Sequence, residues 1–275
     1  MRNTVLIPGF WHGAWSWSLV AEQLAARNLA SVALDLEGQG LEGVSPAGRW
    51  GRPFDAGAFA QEPSPAAAVT VTSAAGSLIR RLRLIGDGEP CVVVAHSMAG
   101  VVATLAAELE PALFAHLVYV AALAPVSGVP AGAYVGSEEN AGELGTGLLQ
   151  GDPAAIGASR IDPGDPAGQA AIREAFYADV DPITAGAAIG LLNTDAPVGI
   201  AAEAFAVTPQ RFGSVPHTYV TCAQDNMIRL PLQERFVREI DAVSARPTTV
   251  VPLDTSHSPF LSRPEALAGV IAGVG

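Results

Sequence analysis

Along the chain, short β-rich runs alternate with stretches whose apolar residues recur every three or four positions. The runs at residues 4–7, 30–34, 91–95, 117–120, 217–222 and 248–253 predict β-strands. Cys91-Val92-Val93-Val94-Ala95 has no polar break, as expected of a strand covered on both faces. Residues 15–27, 98–109, 231–240 and 264–272 predict helices. In the third of these, Leu232, Phe236, Val237 and Ile240 share one face and Pro231 suits a first helical turn. Strands separated by helices need crossover connections, so the pattern predicts an α/β protein with a mainly parallel sheet.

The alternation lapses twice. Residues 125–209 carry Gly/Pro-rich loops, the acids Asp152, Asp162, Asp165, Asp179 and Asp181, and helix-like pieces at 168–178, 182–192 and 197–206. This reads as a helical cap inserted between strands, leaving residues 1–124 and 210–275 as the core. Residues 38–65 form a second irregular stretch, longer than an ordinary connection and therefore functional or mobile.

Composition narrows the function. Of 275 residues, 49% are hydrophobic and 15% charged, which excludes a disordered chain and a long coiled coil. The net charge is −12, and all fifteen basic residues are Arg. Such a chain has no electrostatic footprint for nucleic acid or an anionic membrane, and without Lys it cannot run Schiff-base chemistry. Cys91 and Cys222 form neither a disulfide framework nor a metal cluster. The first strand begins almost at once and no apolar run reaches membrane-spanning length, so a cytoplasmic protein is expected. No metal or organic cofactor is expected. The expected partner is a small hydrophobic molecule, and a homodimer is left open.

Candidate chemistry begins at Ala95-His96-Ser97-Met98-Ala99-Gly100. A buried strand runs into small-X-Ser-X-small and a helix follows, the context of a nucleophile elbow. Ala95 and Ala99 stand where Gly is usual. The turn would present the Ser97 hydroxyl at the carboxyl end of the sheet and aim the Met98 N–H at developing negative charge. The competing reading is a Ser that merely caps a helix.

A hydroxyl nucleophile needs an imidazole base, and the imidazole needs a carboxylate. Of five histidines, His96 belongs to the elbow and points away from the serine. His116 and His217 precede strands, at the far end of a parallel sheet, and read as exposed or structural. His12 follows the first strand and His257 the last. His257 suits the base. Asp225, after the strand at 217–222, suits the acid; Asp254 is the rival. In the loop Pro8-Gly9-Phe10-Trp11-His12, Gly9 permits close backbone approach and Phe10 would supply the second oxyanion N–H. Gly9, Phe10, Trp11, His12 and Leu123 are the expected substrate contacts. Trp15 and Trp17 read as core.

The chain resembles the plant methylesterase and hydroxynitrile lyase branch of the α/β-hydrolases, with its bacterial esterase relatives. The likeness rests on His12-Gly13-Ala14-Trp15-Ser16-Trp17, Ala33-Leu34-Asp35-Leu36, the elbow, Cys222-Ala223-Gln224-Asp225 and His257. It implies an α/β-hydrolase fold, Ser97, Asp225 and His257 as triad, and the N–H groups of Phe10 and Met98 as oxyanion hole. Pro8 stands where relatives commonly have His. The lyases carry Thr at the position of Gly9 and Lys at that of Ser258, so the resemblance favours ester hydrolysis over cyanide chemistry. Ser97 stands where dehalogenases and epoxide hydrolases have Asp. The expected reaction is hydrolysis of a small or medium hydrophobic carboxylic ester, methyl esters included. The alternatives are a cyclase, lyase or acyltransferase using the same site, and a ligand-binding receptor of the same fold.

Overall fold

The structure, a computed structural model, describes residues 3–274. The first half contains β1 (Thr4–Ile7), α1 (Ser18–Ala25), β2 (Ser31–Ala33), α2 (Ala56–Gln61), α3 (Val71–Gly86), β3 (Cys91–His96), α4 (Ala99–Leu109) and β4 (Phe114–Val120). Then follow α5 (Ala131–Val135), α6 (Pro153–Ile156), β5 (Ala158–Arg160), α7 (Pro166–Phe176), α8 (Pro182–Leu191), β6 (Asp195–Pro197) and α9 (Val198–Ala202). The chain closes with β7 (His217–Cys222), α10 (Leu230–Val243), β8 (Thr249–Leu253), α11 (Pro259–Ser262) and α12 (Pro264–Ala272).

Six strands form one sheet in the order β2-β1-β3-β4-β7-β8, and every pairing is parallel. The unbroken apolar run of β3 has its reason here: it is central and buried along its whole length. Its alternate residues feed two cores. Val93 and Ala95 face α3, α4 and α10, whereas Val92 and Val94 meet Trp17, Val20, Leu24, Leu267 and Ile271 of the other layer. Trp17 is fully buried there, and Trp15 is half-buried.

Three features depart from the sequence pattern. No element was expected between 65 and 91, yet α3 spans most of that segment. Its β-branched start, Val69-Thr70-Val71-Thr72, reads against a helix. A capping box overrides that preference: the Thr70 hydroxyl accepts from the Ser73 N–H while the Ser73 hydroxyl accepts from the Thr70 N–H. Val71, Ala74, Ala75, Leu78, Ile79 and Leu82 then form its buried stripe. Second, His116 lies inside β4, where its Nε2 pairs with Thr218 Oγ1 at 2.9 Å. Third, residues 125–209 add no strand to the main sheet, but they contain an antiparallel ribbon of β5 and β6 as well as helices. The helix expected at 197–206 ends at Ala202.

The ribbon is fastened by a buried ion pair. Arg160 Nε and Nη2 donate to the two Asp195 oxygens, each at 2.7 Å, with both side chains almost fully enclosed. Arg160 Nη1 also donates to the carbonyls of Phe59 and Glu62. The irregular 38–65 stretch is thus tied to the insertion, and α2 lies within it.

Candidate active site

Ser97 follows β3 with φ of 53°, a left-handed conformation that a non-glycine residue adopts only where the surroundings enforce it. They do so through backbone bonds: Ser97 N–H donates to Val120 C=O at 3.1 Å and Leu123 N–H donates to Ser97 C=O at 3.1 Å. The turn leaves no space beside it. A Cβ on Gly9 would fall 2.5 Å from Ser97 Cβ, and one on Gly100 would fall 2.4 Å from the Leu123 carbonyl. Ala95 and Ala99, at the expected small positions, are both fully buried. Gly100, one position beyond the expected small residue, takes the tightest approach.

Three side chains meet at this edge of the sheet. Ser97 Oγ lies 3.1 Å from His257 Nε2, and His257 Nδ1 lies 2.8 Å from Asp225 Oδ2. The imidazole and carboxylate are buried, whereas Ser97 is half-buried and faces a cavity. The buried carboxylate is well supplied with donors. Asp225 Oδ1 accepts from the N–H groups of Met227 at 2.7 Å and Ile228 at 2.9 Å. Gln233, also buried, spans Cys222 and Ile228 and comes within 3.5 Å of Oδ2. Asp254 is exposed and accepts from Gln224 at 2.7 Å, facing away from His257. Cys222 is a buried free thiol, and burial beside Asp225 raises its pKa.

The loop after β1 is held at several points. Trp11 has φ of 63°, its N–H donates to Gln39 Oε1, and its carbonyl accepts from Asn193 N–H at 2.9 Å. The Trp11 indole N–H donates to the Ser159 carbonyl at 2.8 Å. His12 Nδ1–H donates to the Phe10 carbonyl at 2.8 Å, leaving Nε2 to accept from the Tyr177 hydroxyl at 2.7 Å. Burial pushes His12 down to about 4, so the ring is neutral at pH 7. Phe10 and Met98 line the same cavity as Ser97, and among the described residues neither backbone N–H has a partner within the chain.

That cavity measures about 320 Å³ and is mainly apolar. Phe10, Trp11, Met98 and Leu123 line it from the core, and Val135, Leu149, Val198 and Ala201 from the insertion. Two expected contacts do not line it. His12 stands behind the wall, bonded to Phe10 and Tyr177, and Gly9 is pressed against Ser97. His96 is not idle: its Nε2–H donates to the His257 carbonyl at 2.9 Å and the two rings lie 4.6 Å apart. His217 is buried, and its pKa is lowered to about 3, chiefly by burial. A larger cavity of about 670 Å³ lies between the 38–65 stretch and the insertion. It mixes Arg49 and Arg52 with Asp162 and Asp165 and contains no member of the Ser97 cluster.

Several residues of this site left no local signal. Gln39, Asn193, Ser159 and Tyr177 act on the Phe10–His12 loop from distant positions in the sequence, and Asp179 accepts from the Ser256 hydroxyl beside His257.

Residues 4–270 match the model of the alpha/beta hydrolase family, and the chain belongs to that family. Among curated relatives, Methylesterase 7 of Arabidopsis thaliana is 33% identical over 132 residues, a match spanning 47% of this chain and 44% of that protein. Methylesterase 9 of the same plant is 24% identical over 97% of this chain and 95% of its own length. Among solved structures, the pyrethroid hydrolase PytH superposes with a TM-score of 0.75 at 20% identity, covering 99% of this chain and 96% of that one. Polyneuridine aldehyde esterase gives 0.73 at 18% identity, covering 100% and 99%. The resemblance drawn from the sequence and the family found by comparison agree.

Proposed function

We propose that this chain is a serine carboxylic ester hydrolase acting on small or medium hydrophobic esters, methyl esters among them. The carrying observation is the continuous contact from Ser97 Oγ through the His257 ring to Asp225, at 3.1 Å and 2.8 Å. His257 Nε2 takes the hydroxyl proton as Ser97 Oγ attacks the ester carbonyl. Asp225 keeps the Nδ1–H tautomer and stabilises the imidazolium that forms. The Phe10 and Met98 amides receive the oxyanion, each contributing about 3 kcal/mol in the transition state. His257 then returns the proton to the leaving alkoxide, and the acyl-enzyme is hydrolysed by water that the same imidazole activates.

The apolar cavity supports a hydrophobic acyl or alkyl group, and the methylesterase names of the relatives support a small alcohol. The crowding at Gly9 leaves no room for a hydroxyl-bearing side chain beside Ser97, which favours ester hydrolysis over cyanohydrin cleavage. A panel of p-nitrophenyl and methyl esters tests the reading. The wild-type protein is expected to hydrolyse at least one, and Ser97→Ala to lose at least about 10⁴-fold in kcat. Equal turnover by both proteins would reject Ser97 as nucleophile.

A further inference from the structure

The cavity over Ser97 contains one ionisable side chain besides the reacting cluster. Among the described residues that line it, Glu143 is the sole acid, and there is no Arg, Lys or His. Glu143 is half-buried. Both its carboxylate oxygens take the single N–H of Thr146, at 3.3 Å and 3.1 Å, and among the described residues no cation lies within 4.0 Å of it. A carboxylate has about four acceptor positions, so most of its capacity is unused. Its neighbours in the wall, Gly145, Leu149 and Met227, offer apolar surface and no counter-charge.

From this arrangement we infer that the site selects esters bearing a cationic group, such as a quaternary or protonated amine, and disfavours esters bearing a carboxylate. The inference rests on the esterase reading for its reaction but not for its binding. An apolar wall accepts the carbon skeleton of an amine, while Glu143 supplies the one fixed charge a substrate meets there. A net charge of −12 adds attraction for cations and repulsion for anions on approach.

The test uses methyl esters of ω-trimethylammonium alkanoic acids of graded length, their carbon isosteres ending in tert-butyl, and the matching carboxylates. Binding of the intact esters to Ser97→Ala is measured by calorimetry, and kcat/KM is measured on the protein with Ser97 present. The best cationic ester is expected to bind roughly two- to fivefold tighter than its isostere, as for a partly exposed ion pair. The kcat/KM ratio should follow through KM and shrink with added salt. Glu143→Gln should bring the cation-to-isostere ratio to about one in both measurements. A ratio near one at every length with Glu143 present, or a preference that survives Glu143→Gln, overturns the inference. Ser97-dependent hydrolysis of the isosteres without cation preference leaves the esterase reading standing alone. Glu143-dependent binding of the cation without turnover of any ester leaves the binding assignment standing and removes the esterase reading.

Discussion

The two walls of the Ser97 cavity are built by different means. On the core side, Phe10, Ser97, Met98 and Leu123 sit at or just beyond strand ends, and parallel register fixes where they fall. On the insertion side, short helices and a two-stranded ribbon are fastened by side chains: Arg160 to Asp195, Tyr177 to His12, Asp179 to Ser256. The reacting atoms lie where backbone geometry is hardest to disturb. The surface that meets the rest of a substrate lies on parts whose sequence can change without touching the sheet.

This contrast can be broken from either side. The largest effect is expected on the core side. Asp225→Asn should lower kcat/KM by about 10⁴-fold, because the imidazole loses the acceptor that fixes its tautomer. Asp254→Asn, on the surface, should stay within about twofold, and steady-state kinetics with circular dichroism separates the two. On the insertion side, Arg160→Ala should leave Asp195 buried and unpaired and cost about 3–5 kcal/mol in denaturant unfolding. Replacing both partners, Arg160→Met with Asp195→Leu, should recover much of that loss.

Acid sharpens the comparison further. His12 is lowered to about 4, His217 to about 3, and His96 well below 6.5, mainly by burial. Below pH 6.5 the unfolded chain binds protons that these native rings refuse. The stability they contribute is therefore full above that pH and is lost as pH falls toward 4. His12 and His217 should each remove about 1 kcal/mol per pH unit in that window. Urea titrations at pH 7 and pH 5 read the slope, which His12→Gln should flatten. A milder loss of turnover is expected at the junction of the two walls. Tyr177→Phe leaves His12 Nε2 unpaired behind the Phe10 amide and should lower kcat about three- to tenfold with little change in KM.

Much of the core was legible because short β-rich runs alternate with helical spacing, and Ser97, Asp225 and His257 each follow such a run, although only the one before Ser97 is apolar without a break. The order of those three residues carried the choice of Asp225 over Asp254. What stayed hidden depends on contacts without local pattern. Gln39 reaches Trp11 across 28 residues of sequence and Ser159 across 148. Helix α3 is the instructive miss. Its stripe of Val71, Ala74, Ala75, Leu78, Ile79 and Leu82 has helical spacing, and the Thr70–Ser73 capping box marks its start, but the β-branched opening suggests extended chain. Glu143 belongs to no sequence motif, and only the fold shows what it borders.

The bonds on Trp11 make the insertion a poor candidate for exchange between relatives. Its backbone carbonyl is served by Asn193 and its indole by Ser159, both belonging to that segment. A chimera that received a foreign segment would inherit more than a reshaped chamber. Without those two partners the residue has less reason to keep its left-handed backbone, and the neighbouring Phe10 amide loses its aim. Transplanted specificity would then arrive with diminished turnover unless both partners travelled with it.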